Sequence, residues 1–573
     1  MLIVAIVVAL LMCATLFVGA PQTAFAEGNT LPSGTEDAAI GAVIDAFLEG
    51  KSDNHAAVAT AIFRGDEDVY TRYYGYIDEA GTIALDRNCV LEWGSTTKLT
   101  VWVSAMQLVD KGALDLNADI RTYLPAGFLG NLRYNKPVTM LNLMNHNAGF
   151  QETDFVLEVE DAKDIIPLGE YLRTYQPLQV FTPGEVVAYN NWGAALAGYV
   201  VECIAGVPFW QYVGEHIFTP LGMTHSAIAA DLSDNLWVQA KRKDFVSYLP
   251  DGSMAEDTKV YILPYPAGAC TSTLDDFTRF AKALLTKDER LMSIGAYETM
   301  YSASLYYTGT DTPRLCHGFL VDHEFANPIV GHDGNTAGGS SRLLLDFDQN
   351  VGMVVLTNQL GGSVYRSKMA ESVFGVTDYH VHVDGYYIPM RGVIRGKNKF
   401  YSSFLAYQYC HFTDQLVDGL YVNVTEDRLE VSSSDYYAMD SGYIVRDVLA
   451  IVWFVLAGYA LLNFVTRLVF MALDGKKKQP FDKGNLLNAV TSLLLGLSVL
   501  IIIPSMSAAL AFAYMVIACV VTMAYTAYLI ATAKAPRESK MARFRYLQGW
   551  SLLVPLVIGI VNAFVWDLIV FWL

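Results

Sequence analysis

Hydrophobic and polar positions divide the chain into four regimes. Residues 2–20 are almost continuously apolar and lead to Ala24-Phe25-Ala26 ahead of Glu27, which predicts a secretory signal or N-terminal anchor over residues 1–26. Residues 36–370 mix helix-like and strand-like apolar runs between short Gly/Pro breaks, with strands expected at Arg342–Asp346 and Val351–Leu356 and a small-residue helix at Ala194–Gly198. Residues 375–440 are rich in Tyr, Val and Asp. Their alternation at Gly419–Val424 and Leu429–Val431 predicts a small β appendage. Within residues 446–573, four apolar segments follow at Val448–Ala472, Leu486–Ile503, Ala508–Thr532 and Leu552–Val570. Each is long enough to cross a hydrocarbon core of about 30 Å.

Charge sharpens this division. Residues 446–573 carry 11 Lys and Arg against 5 Asp and Glu, a net +6, so the chain's −19 leaves −25 on residues 1–445. So acidic a unit is a poor partner for nucleic acid and suits an exported domain. Lys476, Lys477, Lys478 and Lys483 follow the first span, and Lys534, Arg537, Lys540, Arg543 and Arg545 follow the third. The positive-inside rule puts both loops in the cytoplasm, and hence everything before Val448 outside. The chain then reads as a multi-pass protein of the cell membrane with its large N-terminal unit extracytoplasmic and the bilayer as its partner. Arg467, near the cytoplasmic end of the first span, is expected to reach the interface, and Asp567 to sit in an aromatic belt with Trp566 and Trp572. Pro504 and Ser505 would make the turn between the second and third spans. The seven cysteines show no zinc-like spacing.

The chemistry is concentrated in three places. Ser95 and Lys98 are three residues apart after Gly94. On a helix they share a face, with the ammonium beside the hydroxyl and the serine among the free N–H groups of the first turn. That arrangement suits an activated nucleophile with half an oxyanion hole. Tyr189-Asn190-Asn191 lies on a loop entering a helix and can present a phenol and an amide to one pocket; a neighbouring Lys cation would lower a tyrosine pKa of about 10 enough for base catalysis. His332-Asp333-Gly334-Asn335 precedes strand-like segments, and its glycine would let a ligand approach the backbone closely. His332 could bind a substrate carboxylate or assist proton traffic.

Together, Ser95-x-x-Lys98, Tyr189-x-Asn191 and His332-x-Gly334 resemble the three motifs of the class C β-lactamase and DD-peptidase family of serine hydrolases. Pro220-Leu221-Gly222-Met223 and the Gly268–Phe277 segment are similar to intervening stretches of that family. The resemblance covers residues 36–365. It implies an α+β fold, with an antiparallel sheet flanked by helices beside an all-helical subdomain and the active site in the groove between them. The β appendage and the transmembrane helices then complete the chain. It further implies that Ser95 is the acylated nucleophile, Lys98 its charged neighbour and Tyr189 the general base and acid. Asn191, His332, Gly334 and Asn335 would bind substrate, with the N–H groups of Ser95 and Asn335 forming the oxyanion hole. No cofactor and no metal are implied.

Two positions depart from the family pattern. His332 stands where many β-lactamases have lysine, which is similar to DD-peptidases, D-aminopeptidases and esterases of the group. His146-Asn147-Ala148-Gly149 lacks the serine of the usual H-x-S-G in a supporting loop. The resemblance points to a peptide-like or ester substrate and a D-amino-acid peptidase or carboxypeptidase-like activity. The alternatives are a prodrug-activating peptidase of a peptide natural-product pathway, an esterase, a β-lactamase, and a penicillin-binding sensor without turnover. His317 reads as a groove wall residue. Asp378, His380, His382 and Asp384 alternate at period two and read as a solvated strand face.

Overall fold

In a computed structural model, the described residues are 30–377 apart from 52–55, 79, 131, 153–156, 245 and 257; then 383, 387–389 and 421–438 apart from 427; then 441–476, 483–502, 508–533 and 539–565. The expected leader, Asp378, His380, His382, Asp384, the Pro504 turn and Asp567 all lie outside them.

An eight-stranded antiparallel sheet organises the first unit. Its strands are β1 (Val58–Arg64), β2 (Glu67–Tyr74), β3 (Leu305–Tyr306), β4 (Pro313–Cys316), β5 (Phe319–Asp322), β6 (Ile329–Asn335), β7 (Ser340–Asp346) and β8 (Val351–Thr357). They run in the order β3-β4-β5-β6-β7-β8-β1-β2. The central strands read as unbroken apolar runs because both faces of the sheet are covered. On one face Val58, Ile62, Met353 and Val355 pack against α1 (Ile40–Glu49) and α5 (Ser363–Phe374). On the other, Ala59, Ala61, Phe63, Val354 and Leu356 join the core of the helical subdomain. That core contains α2 (Lys98–Asp110), α3 (Asn191–Ala205) and α4 (Leu274–Leu285). Every residue of α2 from Lys98 to Leu108 is buried, so it shows no amphipathic pattern. α3 and the helical stretch Phe209–Leu221, bent 78° from it, are apolar enough to resemble a broken span, yet they line this core. The unit continues past the expected boundary at 370, because α5 runs to Phe374 and buries Val373 and Phe374.

The appendage is a four-stranded sheet of β9 (Tyr387–Pro389), β10 (Asn423–Val424), β11 (Arg428–Val431) and β12 (Ser434–Ala438), in the order β9-β12-β11-β10. β12, inside the expected bounds, adds to the two expected strands, pairing with β11 around the polar turn that follows Val431.

Next come α6 (Ser441–Lys476), α7 (Lys483–Ile502), α8 (Ala508–Ala531), α9 (Lys540–Trp550) and α10 (Leu553–Val565). Among the described residues, four stretches are long and apolar enough to cross a membrane: Val448–Leu473, Lys483–Ile501, Phe512–Ala531 and Lys540–Ala563. The fourth window reaches back to Lys540 because the basic segment with Arg543 and Arg545 is itself helical, capped by Ser539 Oγ on Ala542 N–H, while α10 starts at Leu553, next to the expected Leu552. Arg467 differs from expectation. It is buried inside the bundle, donating to Asn485 Oδ1 at 3.1 Å and Arg545 O at 2.6 Å.

Candidate active site

Ser95 lies on a 3₁₀ turn, Gly94–Thr97, that leads into α2. The turn is held by short bonds around Trp93. Trp93 Nε1 donates to Ser272 Oγ at 2.8 Å, and Trp93 O accepts from Thr96 Oγ1 at 2.8 Å and Ser341 Oγ at 2.5 Å. Thr97 Oγ1 accepts the Cys270 N–H at 3.1 Å. Gly94 has φ +54°, and a Cβ there would stand 2.6 Å from Asn335 N, so only glycine lets β6 lie this close to the nucleophile turn.

Lys98 is the hub. It has no exposed surface, and its ammonium donates to Ser95 Oγ at 2.9 Å, Asn191 Oδ1 at 2.7 Å and Ala267 O at 2.7 Å. A buried ammonium carries a desolvation cost that these three acceptors offset. Its Nζ is 5.0 Å from the centre of the Tyr189 ring. The two sequence pairs predicted to meet therefore do so, although Lys98 and Asn191 are 93 residues apart. The carbonyl of Ala267 completes the shell and was not legible in the sequence, since a backbone acceptor has no residue signature.

Asn191 is placed by the start of α3. Asn190 caps that helix, its Oδ1 accepting from Gly193 N–H, while its Nδ2 donates to Gln151 O at 2.6 Å. Glu152 Oε2 accepts the Asn191 N–H at 2.5 Å. Tyr189, two residues earlier, stacks obliquely on His146 with ring centres 4.6 Å apart, and His146 Nδ1 accepts the Asn190 N–H at 3.3 Å. His146 itself sits at φ +50°. The His146–Gly149 stretch thus touches the tyrosine directly. The missing serine of this loop drew attention in the sequence, but its histidine is the residue in contact.

His332 and Tyr189 have ring centres 6.0 Å apart. His332 Nδ1 is 2.5 Å from Asp333 O. A carbonyl oxygen only accepts, so Nδ1 carries the proton and Nε2 is left as an acceptor, buried with no hydrogen-bond partner among the described residues. Burial, reinforced by the Lys98 charge, lowers the imidazole pKa to about 4. His332 is therefore neutral at pH 7. Gly334 differs from expectation. A Cβ there would lie 1.9 Å from Trp93 O, so its missing side chain admits the protein's own nucleophile turn rather than a ligand. Asn335 is exposed at the end of β6, and the Thr336 turn beyond it is tied to Glu92, which also pairs with Arg242. His317, at φ +45°, donates its N–H to Ser304 Oγ at 2.8 Å, and the neighbouring Gly318 admits the Trp102 ring. No metal-ligating group of three or more His, Cys, Asp or Glu occurs among the described residues.

The Beta-lactamase family model matches residues 42–377, more than half of the chain. The chain is 27% identical over 259 residues to the penicillin-binding protein PbpX of Bacillus subtilis, covering 43% of this chain and 60% of that protein's length. It is 24% identical over 325 residues to penicillin-binding protein 4 of Amycolatopsis lactamdurans, covering 54% and 82%. A solved structure of the octameric penicillin-binding protein homologue from Pyrococcus abyssi aligns with TM-score 0.48 and 18% identity over 68% of this chain and 86% of that one. With its family model laid over the sheet, α2, α3 and all three motifs, this chain belongs to the Beta-lactamase family of serine hydrolases.

Proposed function

We propose that this chain is a membrane-anchored, extracytoplasmic hydrolase that cleaves amide bonds of peptide-like substrates, including D-amino-acid peptides, through an acyl-enzyme on Ser95. The observation that carries the reading is the buried Lys98 ammonium, bonded at once to Ser95 Oγ and Asn191 Oδ1 and lying beside the Tyr189 ring. In the acylation step Ser95 Oγ bonds to the substrate carbonyl carbon and its proton passes to the Tyr189 oxygen. The carbonyl oxygen becomes an oxyanion, received by the N–H groups of Ser95 and Asn335. Tyr189 then returns the proton to the departing amine as the C–N bond breaks. Water then gives its proton to the resulting Tyr189 phenolate and bonds to the acyl carbon, and as the acyl C–Oγ bond breaks the phenol passes that proton to Ser95 Oγ, releasing the acid product. Lys98 supplies positive charge beside both oxygens throughout.

The neutral His332 supports amides over acids at its position. Its Nε2 lone pair accepts a substrate N–H, whereas a carboxylate there would meet another acceptor. The basic clusters after the first and third spans support the outward orientation of the catalytic unit. The purified full chain tests the reading. Fluorophosphonate labelling lost in Ser95→Ala, together with turnover of D-amino-acid amides, supports it. Labelling without turnover of amides, D-Ala-D-Ala peptides, esters or β-lactams indicates a sensor, and absence of labelling refutes the nucleophile.

A further inference from the structure

The backbone that delivers Tyr189 is held from two sides. Ala188 N–H donates to His146 O at 2.8 Å, and Ala188 also forms an antiparallel bridge with Ser434 of β12. The next residue of β12 strengthens that bridge. Asp435 donates its N–H to Val187 O at 2.8 Å and accepts the Val187 N–H on Oδ2 at 3.0 Å. Residues 187–188 are thereby paired with the appendage as a strand would be, immediately before the phenol.

Asp435 is itself immobilised. Its Oδ1 lies 2.7 Å from Arg314 Nη2 of β4, and both side chains are only 2% exposed. Arg314 Nε also donates to Val431 O at 2.9 Å, while Arg428 Nη1 reaches Glu185 O at 3.1 Å and Asp435 Oδ2 at 3.3 Å. Glu430 adds a second anchor, accepting the Thr308 N–H at 2.9 Å. A connector needs no buried carboxylate, which is costly unless it is paired and fully hydrogen-bonded. Here the carboxylate spans the edge of the main sheet and the catalytic loop.

We infer that Asp435, locked by Arg314, is a positioning residue for the hydrolase: it fixes the Val187–Ala188 backbone and so sets the Tyr189 phenol relative to Lys98 and Ser95. The inference rests on the role proposed for Tyr189. It makes the β appendage a working wall of the active site rather than a spacer. β12 ends at Ala438 and α6 starts at Ser441, so the clamp is also tied within a few residues to the first membrane helix.

The test uses the full chain in detergent and a fluorophosphonate probe, with the limiting labelling rate and the probe's half-saturation measured separately across pH. The proteins compared are wild type, Asp435→Asn, Tyr189→Phe and the double variant. A displacement near 1 Å costs on the order of a hundredfold in rate. Asp435→Asn is therefore expected to lower the limiting rate about 10- to 100-fold, to leave half-saturation within about threefold and to move the pH midpoint of the rate. In the Tyr189→Phe background the same change is expected to cost less than about twofold. A folded Asp435→Asn protein with wild-type rate and pH midpoint overturns the inference alone if Tyr189→Phe is impaired. So does an equal loss in both backgrounds. Wild-type labelling by Tyr189→Phe overturns the general-base reading and this inference with it. Should Asp435→Asn not fold, the paired Arg314→Met/Asp435→Leu variant leaves no unmatched buried charge and is expected to show the same loss of rate.

Discussion

Replacing Gly334 by alanine asks whether catalysis depends on how tightly β6 packs against the nucleophile turn. The added Cβ would stand 1.9 Å from Trp93 O and 2.4 Å from Ser341 Oγ, where real Cβ atoms keep at least 3.0 Å. Strand and turn must therefore part by about 1 Å. Ser341 cannot swing aside freely, since its hydroxyl bonds Trp93 O and Thr96 Oγ1. Forced overpacking of this kind costs about 1–3 kcal/mol of stability. The same displacement of about 1 Å would move Asn335 away from Ser95, and a misplacement of that size costs on the order of 10² in rate, or about 2.7 kcal/mol of activation free energy. Labelling by a fluorophosphonate reads the rate, and a thermal melt reads the stability. Gly352→Ala is the control. Its Cβ would meet the Phe63 ring at 2.3 Å, in a core position well along the sheet from Asn335. It is expected to lose comparable stability while labelling at the wild-type rate. A folded Gly334→Ala protein that labels as fast as wild type would refute the reasoning.

Three further outcomes follow from the geometry. Lys98→Met leaves Asn191 Oδ1 and Ala267 O without their shared donor, so labelling of Ser95 should fall about 10²- to 10⁴-fold, with about 1–3 kcal/mol of stability lost in a denaturant titration. His332 binds its proton less readily folded, near pH 4, than unfolded, near 6.5. Its contribution is therefore complete above pH 6.5 and is lost as pH falls toward 4, by about 3 kcal/mol. His332→Gln should abolish that part of the slope in pH-dependent melts, and an unchanged slope contradicts the assignment. In the C-terminal helix bundle Asn488 Nδ2 donates to Tyr525 Oη at 2.7 Å. A double-mutant cycle of Asn488→Ala and Tyr525→Phe, followed by unfolding in mixed micelles, should give a coupling of about 0.6 kcal/mol and no more than about 1.7.

The parts of the site visible in the sequence were those carried by side chains at short spacing. Ser95 and Lys98 sit one turn apart once their stretch is helical, and the small residues Ala194–Gly198 mark the helix that Tyr189-Asn190-Asn191 enters. Ala267 left no mark because it contributes only a carbonyl. Glu152 and His146 left little, because each acts on a backbone N–H or an aromatic face more than forty positions away or nearly so. The glycine of the third motif is visible in the sequence, but the neighbour that it admits is not. Close approach by a ligand and close approach by a neighbouring turn demand the same absence of a side chain.

By itself the amino-acid order determined what depends on local chemistry and on length. Four apolar stretches must leave water, strands buried on both faces must read as continuous hydrophobic runs, and a serine one turn before a lysine must share its face. The tertiary structure decided which distant segments meet. It brought Asn191 to Lys98, drove the His332 imidazole to neutrality by burial, and set Asp435 against Val187 across 248 residues. The physical reason is that desolvation and backbone hydrogen bonding are properties of the packed environment, and neither is encoded in the identity of any single residue.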